Sequence, residues 1–351
     1  MTVRFSVAVL AGGRGTRLWP LSTARRPKPF VDLGSAGRLY DRTIERALAL
    51  HPVCVTTVAV SALKALCERP GVEFLEEPVP RNTAPAIALA ALHAERHTGP
   101  DGGLLIMPAD HFIEDIDNFV STVYGLAGLC HEEQALGVMG IRPTGPSSAY
   151  GYVTPGEAAG DGFRLGSFVE KPDRDKALRL IEEGASWNSG IFYFPLRVFK
   201  REMGKYCNDC LEAASVWLRG GDKKPYEALN GDSIDYALME NSRKVVMVEA
   251  GFSWSDVGAY PALHALLPKD DYGNSGWGPG AVVDCRNCLV VTSRRESLVK
   301  GFEHCVVVEG EEGFLSVPLD EADKIRHDVE SILTAEGDDR PAVDIAREKK
   351  K

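Results

Sequence analysis

The chain has no uninterrupted apolar run of about 18 residues, the length a helix needs to cross a bilayer. A membrane-spanning helix is therefore not expected. Met1-Thr2-Val3-Arg4-Phe5 leads straight into a strand-like segment without the features of a signal peptide, which predicts a cytoplasmic protein. Basic residues are in deficit, 40 Lys and Arg against 50 Asp and Glu, for a net charge of −10. That balance excludes a general nucleic-acid binder, which needs a basic face, yet permits a local basic pocket. Cysteine occurs eight times without forming a framework. The pairs Cys207/Cys210 and Cys285/Cys288 lie far apart, whereas a zinc ribbon spaces its pairs about 15–20 residues. In a cytoplasmic setting they read as reduced, partly buried thiols.

What is present is a glycine loop after a strand. Val7-Ala8-Val9-Leu10 is apolar, and Ala11-Gly12-Gly13-Arg14-Gly15-Thr16-Arg17 follows. Glycine allows positive φ and close approach of a bulky group. Consecutive loop N–H groups can then line one anion-binding concavity. Arg17 adds a planar cationic fork suited to phosphate oxygens. No Gly-Lys-Ser/Thr follows, so the loop is not a Walker loop. Leu18 stands where the dinucleotide fingerprint has its third glycine. Taken alone, the glycines fit equally a tight turn without a ligand. Lys28, held in the proline-stiffened segment Arg25-Arg26-Pro27-Lys28-Pro29-Phe30, favours a polyphosphate.

Leu10-Ala11-Gly12-Gly13-x-Gly15-Thr16-Arg17-Leu18 with Pro27-Lys28 resembles the signature of the sugar-nucleotide pyrophosphorylases. Leu18-Trp19-Pro20-Leu21-Ser22 narrows the resemblance to the mannose-1-phosphate guanylyltransferases. It extends over roughly residues 5–270. Arg14 and Pro29 depart from that pattern, at positions that bear on loop charge and on the nucleoside.

Along the chain, strand-like segments (Val7–Leu10, Thr56–Val60, Val72–Leu75) alternate with helix-like ones (Thr43–Leu50, Leu63–Glu68). This alternation predicts an α/β domain with a mostly parallel sheet, whose ligands sit beyond the carboxyl ends of the strands. The later motifs fall at such ends. Arg81-Asn82-Thr83-Ala84-Pro85 opens a small-residue helix running to about Arg96, with Asn82 or Thr83 as its cap. Pro108-Ala109-Asp110-His111 ends a buried strand. Asp110 either caps the next helix or holds Mg²⁺ against phosphate oxygens. Glycine in Tyr150-Gly151-Tyr152 lets backbone approach a sugar ring, although a turn at a domain seam would also use it. Glu170-Lys171-Pro172 is either an exposed charge pair or a carboxylate and ammonium for a sugar phosphate. Asn188 suits a sugar diol or an Asx-turn. Asp232–Glu240 reads as a capped helix, and Trp254-Ser255-Asp256-Val257-Gly258 offers a second carboxylate.

The resemblance implies a Rossmann-like nucleotidyltransferase domain over 1–268 and a small C-terminal β domain, a left-handed β-helix fragment, over 269–335. A closing helix is expected over 320–333 and a polar tail over 336–351. It assigns catalysis to Arg17 and Lys28, and nucleotide binding to Leu10, Ala11, Gly12, Gly13, Gly15, Thr16, Glu77, Arg81, Asn82 and Thr83. It places the sugar phosphate on Tyr150, Gly151, Glu170, Lys171 and Asn188, and Mg²⁺ on Asp110 and Asp256. Asp235 enters only as a residue that orients its neighbours. The implied reaction joins GTP and α-D-mannose 1-phosphate into GDP-mannose and pyrophosphate, with self-association as a homodimer. Alternatives are the same chemistry on another sugar 1-phosphate or nucleotide, and a non-catalytic regulatory subunit.

Overall fold

A computed structural model describes residues 3–12 and 18–334. The chain forms two compact units, of which the first comprises 3–12, Pro29–Leu33 and Gly37–Val257. Its sheet contains β1 (Phe5–Leu10), β2 (Val55–Ala59), β3 (Val72–Glu76), β4 (Gly103–Pro108), β5 (Leu136–Ile141), β6 (Tyr152–Ala159), β7 (Gly162–Val169), β8 (Ser186–Pro195) and β9 (Val245–Glu249). The spatial order is β3-β2-β1-β4-β8-β5-β9-β7-β6. The β3-β2-β1-β4 run and the β5/β9 pair are parallel, while β8 inserts antiparallel between β4 and β5. The sheet is thus mixed, with the expected parallel half.

Both faces of the sheet are covered. In β1, Val7 and Val9 enter one apolar layer with Ile44 and Phe119, whereas Ala8 enters the other with Ile87 and Ala90. Adjacent strand residues point to opposite faces, so a strand buried on both sides reads as a continuous apolar run. The alanines of helix Thr83–Thr98 are buried at 84, 86, 88, 90, 91 and 94. Short side chains let this helix lie close on the sheet.

One expected helix is shortened. Within Asp232–Glu240 only Asp235–Met239 is helical, as a single π turn. The Asp232 carbonyl accepts from the Ala84 N–H (3.1 Å), and the Ile234 N–H donates to Thr83 Oγ1 (2.8 Å). Backbone groups that would build the first turn are instead tied to the start of another helix.

The second unit comprises 18–28, Gly34–Ala36 and residues from Gly258 onward. Its strands are β10 (Ser275–Trp277), β11 (Ala281–Val283), β12 (Leu289–Val291), β13 (Leu298–Lys300), β14 (Cys305–Glu309) and β15 (Phe314–Pro318). β10, β12 and β14 stack in parallel on one face, β11 and β13 on another, and β15 closes antiparallel on β14. Successive coils are packed so closely that a methyl on Gly276 or Gly278 would fall on the Val290 or Thr292 carbonyl, and both take positive φ. By contacts the chain divides at Val257/Gly258, ahead of the boundary at 268/269 read from the sequence. The reason is helix Tyr260–Leu266, whose Tyr260 hydroxyl donates to the Leu18 and Trp19 carbonyls and whose His264 bonds Ser275 Oγ at 2.6 Å. The expected closing helix is a 3₁₀ turn, Leu319–Glu321, followed by a helix over Arg326–Thr334. The tail 336–351 lies outside the described residues.

Candidate active site

The chain proceeds from β1 to β2 to β3 in one direction and then returns to place β4 on the other side of β1. Such a reversal opens a crevice beyond the carboxyl ends of the strands. Leu10, in register with Val58 and Pro108, marks those ends. A cavity of about 490 Å³ opens there, with Val58, Ile87, Ile106 and Phe192 as apolar walls and Gly12, Glu77, Asn82, Asp110 and Asp235 as polar lining. Its size and its few polar groups are those of a small-molecule site.

On one side stand residues from the first loop and from the start of helix Thr83–Thr98. The Ala11 N–H donates to the Val58 carbonyl at 3.0 Å, extending the strand into the loop. Leu10 and Gly12 line the cavity, and a methyl on Gly12 would meet nothing within 4 Å. Gly13, Gly15, Thr16 and Arg17, and with them Arg14, lie outside the described residues. Lys28 is buried at the start of a 3₁₀ turn, Lys28–Phe30, and by its contacts belongs to the second unit. Pro29 is buried in the same turn.

Asn82 caps the helix, its Oδ1 accepting from the Thr83 N–H at 2.9 Å, with φ at +67° and ψ at −168°, a backbone region occupied essentially by glycine alone. Asn82 and Thr83 line the cavity. Arg81 does not: its guanidinium turns to the Glu227 carbonyl, and only its backbone N–H faces the site, donating to Glu77 Oε1 at 3.2 Å. Glu77 Oε1 also accepts from the Tyr226 hydroxyl at 3.2 Å. Tyr226 was not foreseen from the sequence, because a tyrosine in a charged stretch carries no local signal of where its hydroxyl points.

Burial pushes the Glu77 carboxyl up to about 7, against the two hydrogen bonds that hold it down. A carboxyl raised in the folded state contributes stability that is complete below the unfolded value near 4.5 and is lost as pH rises through about 7. Denaturation between those values should show a decline smaller in Glu77→Gln than in wild type by on the order of 3 kcal/mol, the raised Asp235 carboxyl contributing to the decline in both. An equal decline in the variant would assign it to other groups.

The two acidic loops meet through backbone. Phe112, two residues past Asp110, forms an antiparallel bridge with Ser255, next to Asp256. The two N–H···O distances are 2.8 and 3.0 Å. Asp256 Oδ1 accepts from the Tyr150 hydroxyl at 2.8 Å. The Tyr150 ring packs edge-on against Trp187 and Trp254, and Trp254 in turn bonds His111. Tyr150 thus stands beside a predicted metal carboxylate as well as beside the sugar-side residues.

Those residues form a third group. β7 ends at Val169, and Lys171 takes φ +45°, so the rule that adjacent strand residues diverge no longer applies. Lys171 Nζ bonds Glu170 Oε1 at 2.5 Å, although the lysine is largely exposed and the glutamate largely buried. Glu170 Oε2 is buried without a hydrogen-bond partner. A buried, unsatisfied carboxylate oxygen is costly unless a ligand supplies the donor. Asn188 donates its N–H to the Gly151 carbonyl (2.8 Å) and its Nδ2–H to Asp235 Oδ1 (2.9 Å), while its Oδ1 accepts from the Gly190 N–H (2.9 Å). The Asx-turn is therefore realised, and the same side chain reaches Asp235, which lines the cavity. Asp235 is raised to about 6 by burial first and the Glu170 charge second.

An α/β sheet with helices on both faces, a concave site at its reversal point and carboxylates brought together from distant loops has the layout of an enzyme acting on a small molecule. The chain belongs to the nucleotidyl transferase family, whose profile matches residues 6–271. It is 33% identical over 344 residues to a mannose-1-phosphate guanylyltransferase of Klebsiella pneumoniae, covering 92% of this chain and 72% of that one. It is 35% identical to the xanthan biosynthesis protein XanB of Xanthomonas campestris, covering 93% and 73%. A solved Thermus thermophilus structure, described as a mannose-1-phosphate geranyltransferase, superposes with a TM-score of 0.82 at 31% identity, covering 94% of this chain and 99% of that one. The nucleotidyltransferase expectation is borne out, with mannose-1-phosphate guanylyltransferases among the relatives.

Proposed function

We propose that the enzyme transfers GMP from GTP to α-D-mannose 1-phosphate, forming GDP-mannose and releasing pyrophosphate. The observation that carries this reading is the Phe112–Ser255 bridge, which joins the two carboxylate-bearing loops beside a cavity of nucleotide-sugar size. The names of the relatives support mannose as the sugar. The sugar phosphate oxygen, already anionic, attacks the α-phosphorus in line, so the protein's task is positioning and charge stabilisation. Glu77 and Asn82 face the nucleotide, and Glu77 accepts guanine N–H groups. Glu170 Oε2 takes a sugar hydroxyl proton in a hydrogen bond, Asn188 meets the diol, and Lys171 meets the sugar phosphate. The resemblance adds Arg17 and Lys28 as the cations on the triphosphate.

Asp110 and Asp256 supply two hard oxygen donors of the kind Mg²⁺ takes. Bound by them, the ion would offset negative charge on the phosphate oxygens. We extend the proposal to the C-terminal coils as a left-handed β-helix through which two copies associate, in the cytoplasm.

Pyrophosphate release should be measured with each nucleoside triphosphate against a panel of sugar 1-phosphates, with Mg²⁺ present. The highest kcat/KM is expected for GTP with mannose 1-phosphate. A higher value for another pair would reassign the substrate, and no release with any pair would favour a regulatory subunit.

A further inference from the structure

Away from the cavity, at the amino end of β2, four side chains with metal-ligating atoms converge. Cys54 immediately precedes β2, Glu73 lies on β3, and His93 and His97 stand one turn apart on helix Thr83–Thr98. Their sulfur, carboxylate oxygen and ring nitrogens all lie within 4.8 Å of one another. The two imidazole Nε2 atoms are 3.3 Å apart, and Glu73 Oε2 is 2.9 Å from that of His93 and 3.4 Å from that of His97.

A hydrogen bond accounts for the His93–Glu73 contact. The Cys54 thiol also lies 3.4 Å from Thr56 Oγ1, but neither contact accounts for a second imidazole nitrogen turned to the same point. Two Nε2 atoms at 3.3 Å cannot both carry a proton between them, so at least one presents a lone pair. In a tetrahedral zinc site with Zn–N near 2.05 Å, neighbouring ligand atoms lie about 3.3–3.4 Å apart. Two of these three separations already match that edge, and the third needs to open by about half an ångström. The His-x-x-x-His spacing puts both rings on one helix face. A thiol with two imidazoles favours zinc over Mg²⁺ or Ca²⁺, which prefer oxygen.

We infer that Cys54, Glu73, His93 and His97 form a zinc site that fastens the helix to the sheet at β2 and β3. Four protein ligands close the coordination sphere, the pattern of a structural site. His93 lies about 15 Å along the helix from Thr83, so the ion secures one end of a helix whose other end walls the cavity. Bound zinc would stabilise the fold by mass action.

The test is a Zn²⁺ titration of chelator-stripped, full-length protein against a competing chromophoric chelator. Wild type should take up about one tightly held Zn²⁺ per chain, with a rise in thermal midpoint. Cys54→Ser and the double variant His93→Gln/His97→Gln should each weaken binding by more than about 100-fold, since even partners that only orient a ligand cost 10–100-fold. Cys207→Ser/Cys210→Ser should leave it unchanged. At saturating Co²⁺, wild type should show the intense visible bands of a four-coordinate ion and a near-ultraviolet thiolate charge-transfer band. Cys54→Ser should lose only the second, and this comparison decides the matter if the histidine variant does not fold. Absence of zinc uptake at micromolar free metal, uptake retained by the histidine variant, or uptake abolished by Cys207→Ser/Cys210→Ser would each overturn the inference.

Discussion

Asp110→Asn is expected to lower kcat for pyrophosphate release by about 10²–10³-fold, the scale seen when one preorganised charge contact is lost at a phosphoryl or acyl centre. The substitution keeps the shape of the side chain and removes its charge. It leaves untouched the backbone pairing of Phe112 with Ser255, which holds this loop against the one carrying Asp256. The fold should therefore survive, and the loss should fall on turnover. Asp256→Asn should behave alike, since an asparagine oxygen can still accept from the Tyr150 hydroxyl. Because the two carboxylates are assigned to one ion, the double variant should lose little beyond either single one. A rate for Asp110→Asn within about threefold of wild type, under 1 kcal/mol of barrier, would remove Asp110 from the mechanism. Multiplying losses in the double variant would show that the two act separately.

Gly151→Ala tests the sugar side from the opposite direction, by adding an atom. The φ of Gly151 is not positive, so alanine is admissible to the backbone. The new methyl would land on Glu170 Oε2 and lie 3.3 Å from Asn188 Cβ. Oε2 is the free end of a flexible side chain and can move aside, which keeps the folding cost small. Moving it removes the buried acceptor from its place. A hydrogen bond to a charged group is worth about 1.5–3 kcal/mol, so KM for the sugar phosphate should rise about 10–100-fold. KM for the nucleotide should hold, because Glu77 and Asn82 line the cavity and have their hydrogen bonds with Arg81, Tyr226 and Thr83, away from Glu170. Equal rises in both constants, or a large drop in thermal midpoint, would mean that the methyl disturbs the site as a whole.

Much of this architecture is written locally. β1 is legible because it is buried on both faces and so reads as a continuous apolar run. Asp110 stands out because it follows such a run, where a parallel sheet presents its ligands. Glu170 and Lys171 are marked by Pro172, which ends the strand and frees the two side chains to meet. The contact division ahead of 268/269 and the shortening of the helix over Asp232–Glu240 have one cause. Tyr260 and Ile234 have their hydrogen-bond partners in Leu18, Trp19 and Thr83, far away along the chain. Periodicity reports only on neighbours within a few residues, so it registers neither contact.

From residue order alone came the class of sheet, the glycine loop and the carboxylates at strand ends, because propensity, burial period and motif spacing are properties of short segments. Tertiary structure alone decided that the loop of Asp110 meets that of Asp256, that Arg81 turns away while Tyr226 reaches in, and that one oxygen of Glu170 is left without a donor. It also decided that a cysteine, a glutamate and two histidines from three elements face one point. Pairings of this kind depend on which strands are neighbours, and strand order is set by packing the whole sheet.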